Sequence, residues 1–199
     1  MAVATIAHEE EPEHGYGTAV HHEEPQRPTM NQLGLWLFFL SESFLFAALL
    51  VSRFYLAGTT RPGVNQPLGL LITSILLCSS LTAYRAESSI ARGNRTAFLS
   101  YLLATIALGI VFMGGVAYEW STAEFTRSSP YGAAFFAMTG LHATHVISGV
   151  VMLAMVAYLG ARGHFSAESH WGVEGVIKYW HFVDLVWVFF YPTLYLVKF

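Results

Sequence analysis

The residues best placed to do chemistry lie in Lys178-Tyr-Trp-His-Phe-Val-Asp-Leu-Val-Trp187, where His181 and Asp184 fall one helical turn apart inside an apolar run. A carboxylate and an imidazole are costly in hydrocarbon, so both must face protein or water and have partners. Glu174, Lys178, His181 and Asp184 share one helical stripe. Glu174 and Lys178 are expected to pair near the interface, and a neutral His181 can donate to the Asp184 carboxylate. The spacing reads as a polar clasp between this helix and the one before it, with His142 or His145 as partner. Trp180 and Trp187, seven residues apart, read as interface anchors with Trp120. Glu119, between Tyr118 and Trp120, reads as a helix-packing contact. Glu42 stands alone, about twelve residues into the first apolar run, with Phe38 and Phe46 one turn to either side. Apolar surroundings favour the neutral form of a carboxyl, so Glu42 is the candidate proton-linked group, although a single acid with no relay does not carry protons across a membrane.

These groups must be positioned by membrane helices. The chain has 199 residues, 54% hydrophobic and 12% charged, against about 25% charged in soluble domains. Five apolar runs, roughly 31–56, 68–86, 97–120, 132–159 and 175–197, each reach the roughly 20 residues a crossing helix needs. The fold class is all-α: a polytopic bundle of five transmembrane helices, one domain over 30–199. Gly140, Thr144 and Ser148 form a small-residue stripe on the fourth run that would let a helix approach closely. Residues 1–29 form a polar tail holding six of the thirteen acidic residues and His8, His14, His21 and His22. It has no apolar segment of a signal peptide and is expected to lie against a further subunit or a supercomplex partner. Six Lys/Arg near the run ends fall on the amino-terminal side and four on the other, which places the amino end in the cytoplasm and the carboxyl end outside.

Several classes are excluded. A net charge of −3 gives no electrostatic footprint for nucleic acid. Cys78 is alone and can form neither an intrachain disulfide nor a metal site; it reads as a packing residue. No haem-attachment, phosphate-loop, dinucleotide or nucleophile-elbow pattern occurs. No metal site is expected, because zinc needs three or four ligands and two histidines one turn apart do not supply them. A b-type cytochrome anchor, with His145 and His181 as axial ligands from facing helices, is the rival of another class. A solute or proton carrier is a third reading.

Trp180-His-Phe-Val-Asp-Leu-Val-Trp187, the Phe135–Val146 run with its two histidines, Ser41-Glu-Ser-Phe44 and Tyr118-Glu-Trp120 occur in an order that closely resembles subunit III of the haem–copper oxidases, the cytochrome c oxidase subunit III family. The likeness runs from about residue 30 to the end and looks like the short, five-helix bacterial form. The resemblance implies a non-catalytic subunit that packs on subunit I, supports proton uptake and holds phospholipid, with haems and copper in subunits I and II and none in this chain. Glu42 matches the family's carbodiimide-reactive glutamate. Glu119, His142, His145, Glu174, His181 and Asp184 match interior polar contacts. The expected site is the bacterial inner membrane. A quinol oxidase subunit III and a nitric-oxide-reductase accessory subunit are the alternatives within the family.

Overall fold

Polar caps and glycines set the ends of five helices. The computed structural model describes residues 30–58 and 63–197; the tail 1–29, with its four histidines, lies outside them. Helix α1 covers Met30–Ala57, α2 Gln66–Ala91, α3 Arg95–Thr122, α4 Pro130–Ala161 and α5 Trp171–Tyr191, followed by a π-helical turn, Pro192–Leu196. Asn65, Asn94 and Ser129 each accept a hydrogen bond from the backbone N–H three residues on, capping α2, α3 and α4. Their side-chain oxygens satisfy donors that a helix start leaves open. Pro67 and Pro130 lie in first turns, where the missing N–H costs nothing. Gly93 and Gly163, at φ 74° and 81°, follow α2 and α4 in the left-handed conformation that ends helices and suits glycine.

Helices α1 to α4 are long and apolar enough to cross a membrane. The fifth helix, which the sequence also reads as a span, does not meet that measure. It begins at Trp171 and ends at Tyr191, and Glu174, Lys178 and Asp184 leave it no long stretch that is nearly free of charge. Its surroundings compensate: α5 packs against α4, α2 and α1, so most of its surface meets protein.

Helix α1 is attached by a narrow seam. Its buried residues are Phe39, Phe46 and Arg53, spaced by seven, which keeps one edge of the helix on its neighbours. Phe39 stacks on Phe182 of α5 at 4.9 Å between ring centres. Phe46 meets His145 of α4 and Phe190 of α5 edge-on, at 4.9 and 5.6 Å. The core lies where α2, α3, α4 and α5 meet, filled by Trp180, Trp187, Phe98, Phe112, Phe135 and Phe190, all nearly inaccessible.

Candidate functional site

Three polar groupings emerge among the described residues. The first is at the α5 carboxyl end. Glu119 is 5% exposed, and its Oε2 accepts a 2.5 Å hydrogen bond from the Tyr195 hydroxyl. It therefore ties α3 to the π-helical turn, while Tyr131 of α4 donates to the Leu194 carbonyl at 2.8 Å. Arg53 is wholly buried in the same region. It donates through Nη1 to the Gly58 carbonyl at 2.7 Å, and its guanidinium lies 4.8 Å from the centre of the Tyr131 ring.

The second grouping is the α5 clasp, and it turns to α2 rather than α4. His181 Nδ1 lies 2.7 Å from Ser80 Oγ. Trp180 Nε1 donates to Ser79 at 3.0 Å, and Trp187 Nε1 donates to Thr73 at 3.0 Å. Both indoles are buried in the bundle, so neither is an interface anchor. Residues 180, 184 and 187 share the face of α5 turned inward, and Gly109 of α3 and Gly149 of α4 leave room for the Trp180 ring. A Cβ at Gly109 would come within 2.7 Å of that ring, and one at Gly149 within 2.8 Å. Trp120 is half-buried and donates to Thr139 of α4 at 3.1 Å, a helix-to-helix contact. Asp184 is 3% exposed. Neither of its oxygens makes a hydrogen bond, although Ser80 faces it. The expected His181–Asp184 pairing is thus not made. His142 reaches α5 through the backbone: its Nε2 lies 3.1 Å from the Val183 carbonyl, and its ring is 4.8 Å from that of Trp187. Glu174 does pair with Lys178, at 3.0 Å, and also lies 3.4 Å from His170. Cys78 is exposed on α2 rather than packed inside.

The third grouping joins α1 to α4. Glu42 Oε2 lies 3.2 Å from His145 Nε2, with both side chains largely buried. His145 Nδ1 is 2.8 Å from the Leu141 carbonyl of its own helix. Beside the pair, Tyr179 of α5 and Ser148 of α4 share a 2.7 Å hydroxyl–hydroxyl hydrogen bond. Glu42 is therefore a member of a pair, which the sequence spacing did not reveal. His145 faces α1 and His181 faces α2, so these two rings do not present themselves to one haem between facing helices. Among the described residues no three His, Cys, Asp or Glu side chains converge as metal ligands.

Residues 16–198 match the family model described as cytochrome c oxidase subunit III. The chain is 37% identical over 193 residues to "Cytochrome c oxidase subunit 3" of Dugong dugon, an alignment covering 90% of this chain and 74% of that protein. It is 38% identical over 176 residues to the protein of the same name from Ornithorhynchus anatinus, covering 81% of this chain and 67% of the other. The chain belongs to the cytochrome c oxidase subunit III family. The match begins at residue 16, inside the stretch that composition alone sets apart as a tail.

As a subunit III, the chain has several interior polar side chains in helix-to-helix contacts. Spacing did not single out Ser79, Ser80, Thr73 or Tyr195 because lone hydroxyls in apolar runs are common and unpatterned. Arg53 had a usable signal: it continues the seven-residue series of Phe39 and Phe46, which places it on the buried edge. The observed pairing also separates two substitutions. His181→Leu strands the Ser80 hydroxyl and is expected to weaken subunit III by about 1 kcal/mol. Asp184→Asn removes no hydrogen bond present here and should leave stability nearly unchanged. Denaturation midpoints in detergent test the pair, and a larger loss from Asp184→Asn than from His181→Leu would reverse the assignment.

Proposed function

We propose that the chain is the non-catalytic subunit III of an aerobic, proton-translocating haem–copper oxidase of aa3 or caa3 type. The observation that carries this reading is the match of residues 16–198 to the oxidase subunit III family. In this role it packs on subunit I and steadies it during turnover, while oxygen reduction takes place at the haems and copper of subunits I and II. The relatives' printed names favour cytochrome c over quinol as the electron donor. α5 completes the crossing, with Asp184 buried in the bundle and Glu174 paired with Lys178. The complex sits in a bacterial inner membrane, with the amino end cytoplasmic and the carboxyl end outside.

Proton uptake and lipid binding belong to the same reading. Glu42 serves as the proton-linked carboxyl; Glu119, His142, His145, Glu174, His181 and Asp184 serve as interior contacts. Phospholipid fits a groove of about 700 Å³ between α1 and α5. Phe39, Leu40, Phe182 and Leu185 offer its acyl chain an apolar wall, and Lys178 offers the head group a cation.

Purifying the oxidase with and without this subunit tests the role. Without it, the enzyme is expected to survive fewer turnovers before inactivating, while Glu42→Gln in the complete complex leaves the haem spectra unchanged. An enzyme that pumps and survives equally well without the subunit would overturn the reading.

A further inference from the structure

Helix α5 is long enough to cross a bilayer but carries polar groups at its middle. Its 21 residues reach the roughly 20 that a crossing needs, yet the helices apolar enough to do so, among the described residues, do not include it. His181 sits at its midpoint and Asp184 nearly one turn further on. An acid near the centre of a span offsets the insertion gain of several apolar side chains. What α5 lacks in apolarity, α2 supplies in contacts. Gln66 Nε2 donates to the Tyr195 carbonyl, just past α5, at 2.9 Å. Thr73 accepts from the Trp187 indole and Ser79 from the Trp180 indole, each at 3.0 Å. Ser80 Oγ lies 2.7 Å from His181 Nδ1 and also faces Asp184. The partners follow in opposite order along the two helices, as an antiparallel pair requires. We propose that α2 is the template on which α5 enters the membrane: α5 crosses because a ready-made column of α2 hydroxyls receives its polar side chains.

The column is formed within α2 itself. The Thr73 hydroxyl donates to the Gly69 carbonyl at 2.7 Å, and the Ser79 hydroxyl donates to the Leu76 carbonyl at 2.6 Å. Each oxygen thus gives its proton to its own helix and keeps lone pairs for an indole N–H. A hydroxyl bonded back to its own backbone is tolerated in a span, and α2 is long and apolar enough to cross by itself. The converse does not hold. The side-chain hydrogen bonds of Trp180, His181 and Trp187 go to α2 in each case, so α5 alone would carry these groups into hydrocarbon without them. Chain order agrees with this direction. α2 precedes α5, and so do α3 and α4, whose Gly109 and Gly149 leave the space in which Trp180 sits. The dependence is one-way: α2 crosses without α5, and α5 does not cross without α2. The inference rests on the reading that α5 completes the crossing and adds what makes that crossing possible.

The test reads the side of the membrane on which the carboxyl end lies. The full chain is made in bacterial membranes with a reporter fused after Phe199: an alkaline phosphatase active only outside the cytoplasm, or a fluorescent protein that folds only inside it. The wild-type chain is expected to place the reporter outside. Thr73→Val, Ser79→Ala and Ser80→Ala together remove the three hydroxyls and make α2 more apolar, so α2 keeps its own crossing. The ratio of inside to outside carboxyl ends is then expected to rise about twentyfold, from three contacts at the average strength of hydrogen bonds between membrane helices. Adding Asp184→Leu should return the carboxyl end to the outside, because α5 is then apolar enough to cross alone. An unchanged ratio in the triple variant, or no return with Asp184→Leu, would overturn the proposal while leaving the crossing of α5 in place. A variant degraded in cells is synthesised in vitro into membrane vesicles and read in the same way. A wild-type carboxyl end on the inside would overturn the crossing of α5, and the proposal with it.

Discussion

Trp180→Ala is expected to destabilise the bundle by about 3–5 kcal/mol, the range for truncating a buried large aromatic. Trp180 is fully buried and wedged between α3 and α4 at Gly109 and Gly149. Lipid is as apolar as the indole ring, so the loss comes from packing and from the cavity left behind rather than from transfer to water. The Ser79 hydroxyl loses its indole donor as well. Unfolding of the full chain in mixed detergent measures the effect. A change under 1 kcal/mol would mean that the three helices close over the gap, and that Trp180 is not the wedge described above.

Gly149→Leu presses on the same contact from the other side. A Cβ alone at Gly149 would lie 2.8 Å from the Trp180 ring and 3.4 Å from that of Tyr179. The indole is held on three sides, so α4 must move off α5, at an expected cost of about 3 kcal/mol, the upper end for overpacking. The added side chain also fills space that Trp180→Ala vacates. The double variant should therefore be more stable than the sum of the two single losses implies, by about 1 kcal/mol or more. Strict additivity would show that the two residues do not share one space.

How legible the molecule was depended on the signal each feature leaves. The helices were plain because a stretch that crosses hydrocarbon must satisfy its own backbone and stay apolar for about 20 residues. The exception is α5, which carries Glu174, Lys178 and Asp184, with Asp184 alone among them buried. Its helical nature could be read, but its standing as a span could not. Glu119, His142 and Asp184 are buried in the structure, and sequence did not give their partners. Spacing along one helix reports which residues share a face, not which helix that face meets. The α5 stripe was thus assigned to α4, whereas its imidazole meets Ser80 of α2. Trp180 and Trp187 were misplaced for a related reason: the indole's preference for the membrane surface is a statistical tendency, and two glycines on other helices overrode it.

By itself the sequence determined the class of molecule, the rough extent of its helices, the polar groups that had to be enclosed and the resemblance to oxidase subunit III. All of these follow from local composition and order. Only the tertiary structure decided that Glu42 belongs with His145. The two are 103 positions apart and come together because Phe39, Phe46 and Arg53 seat α1 on the bundle along one edge. The acid gained a histidine partner through helix packing, which no pattern within a single helix encodes.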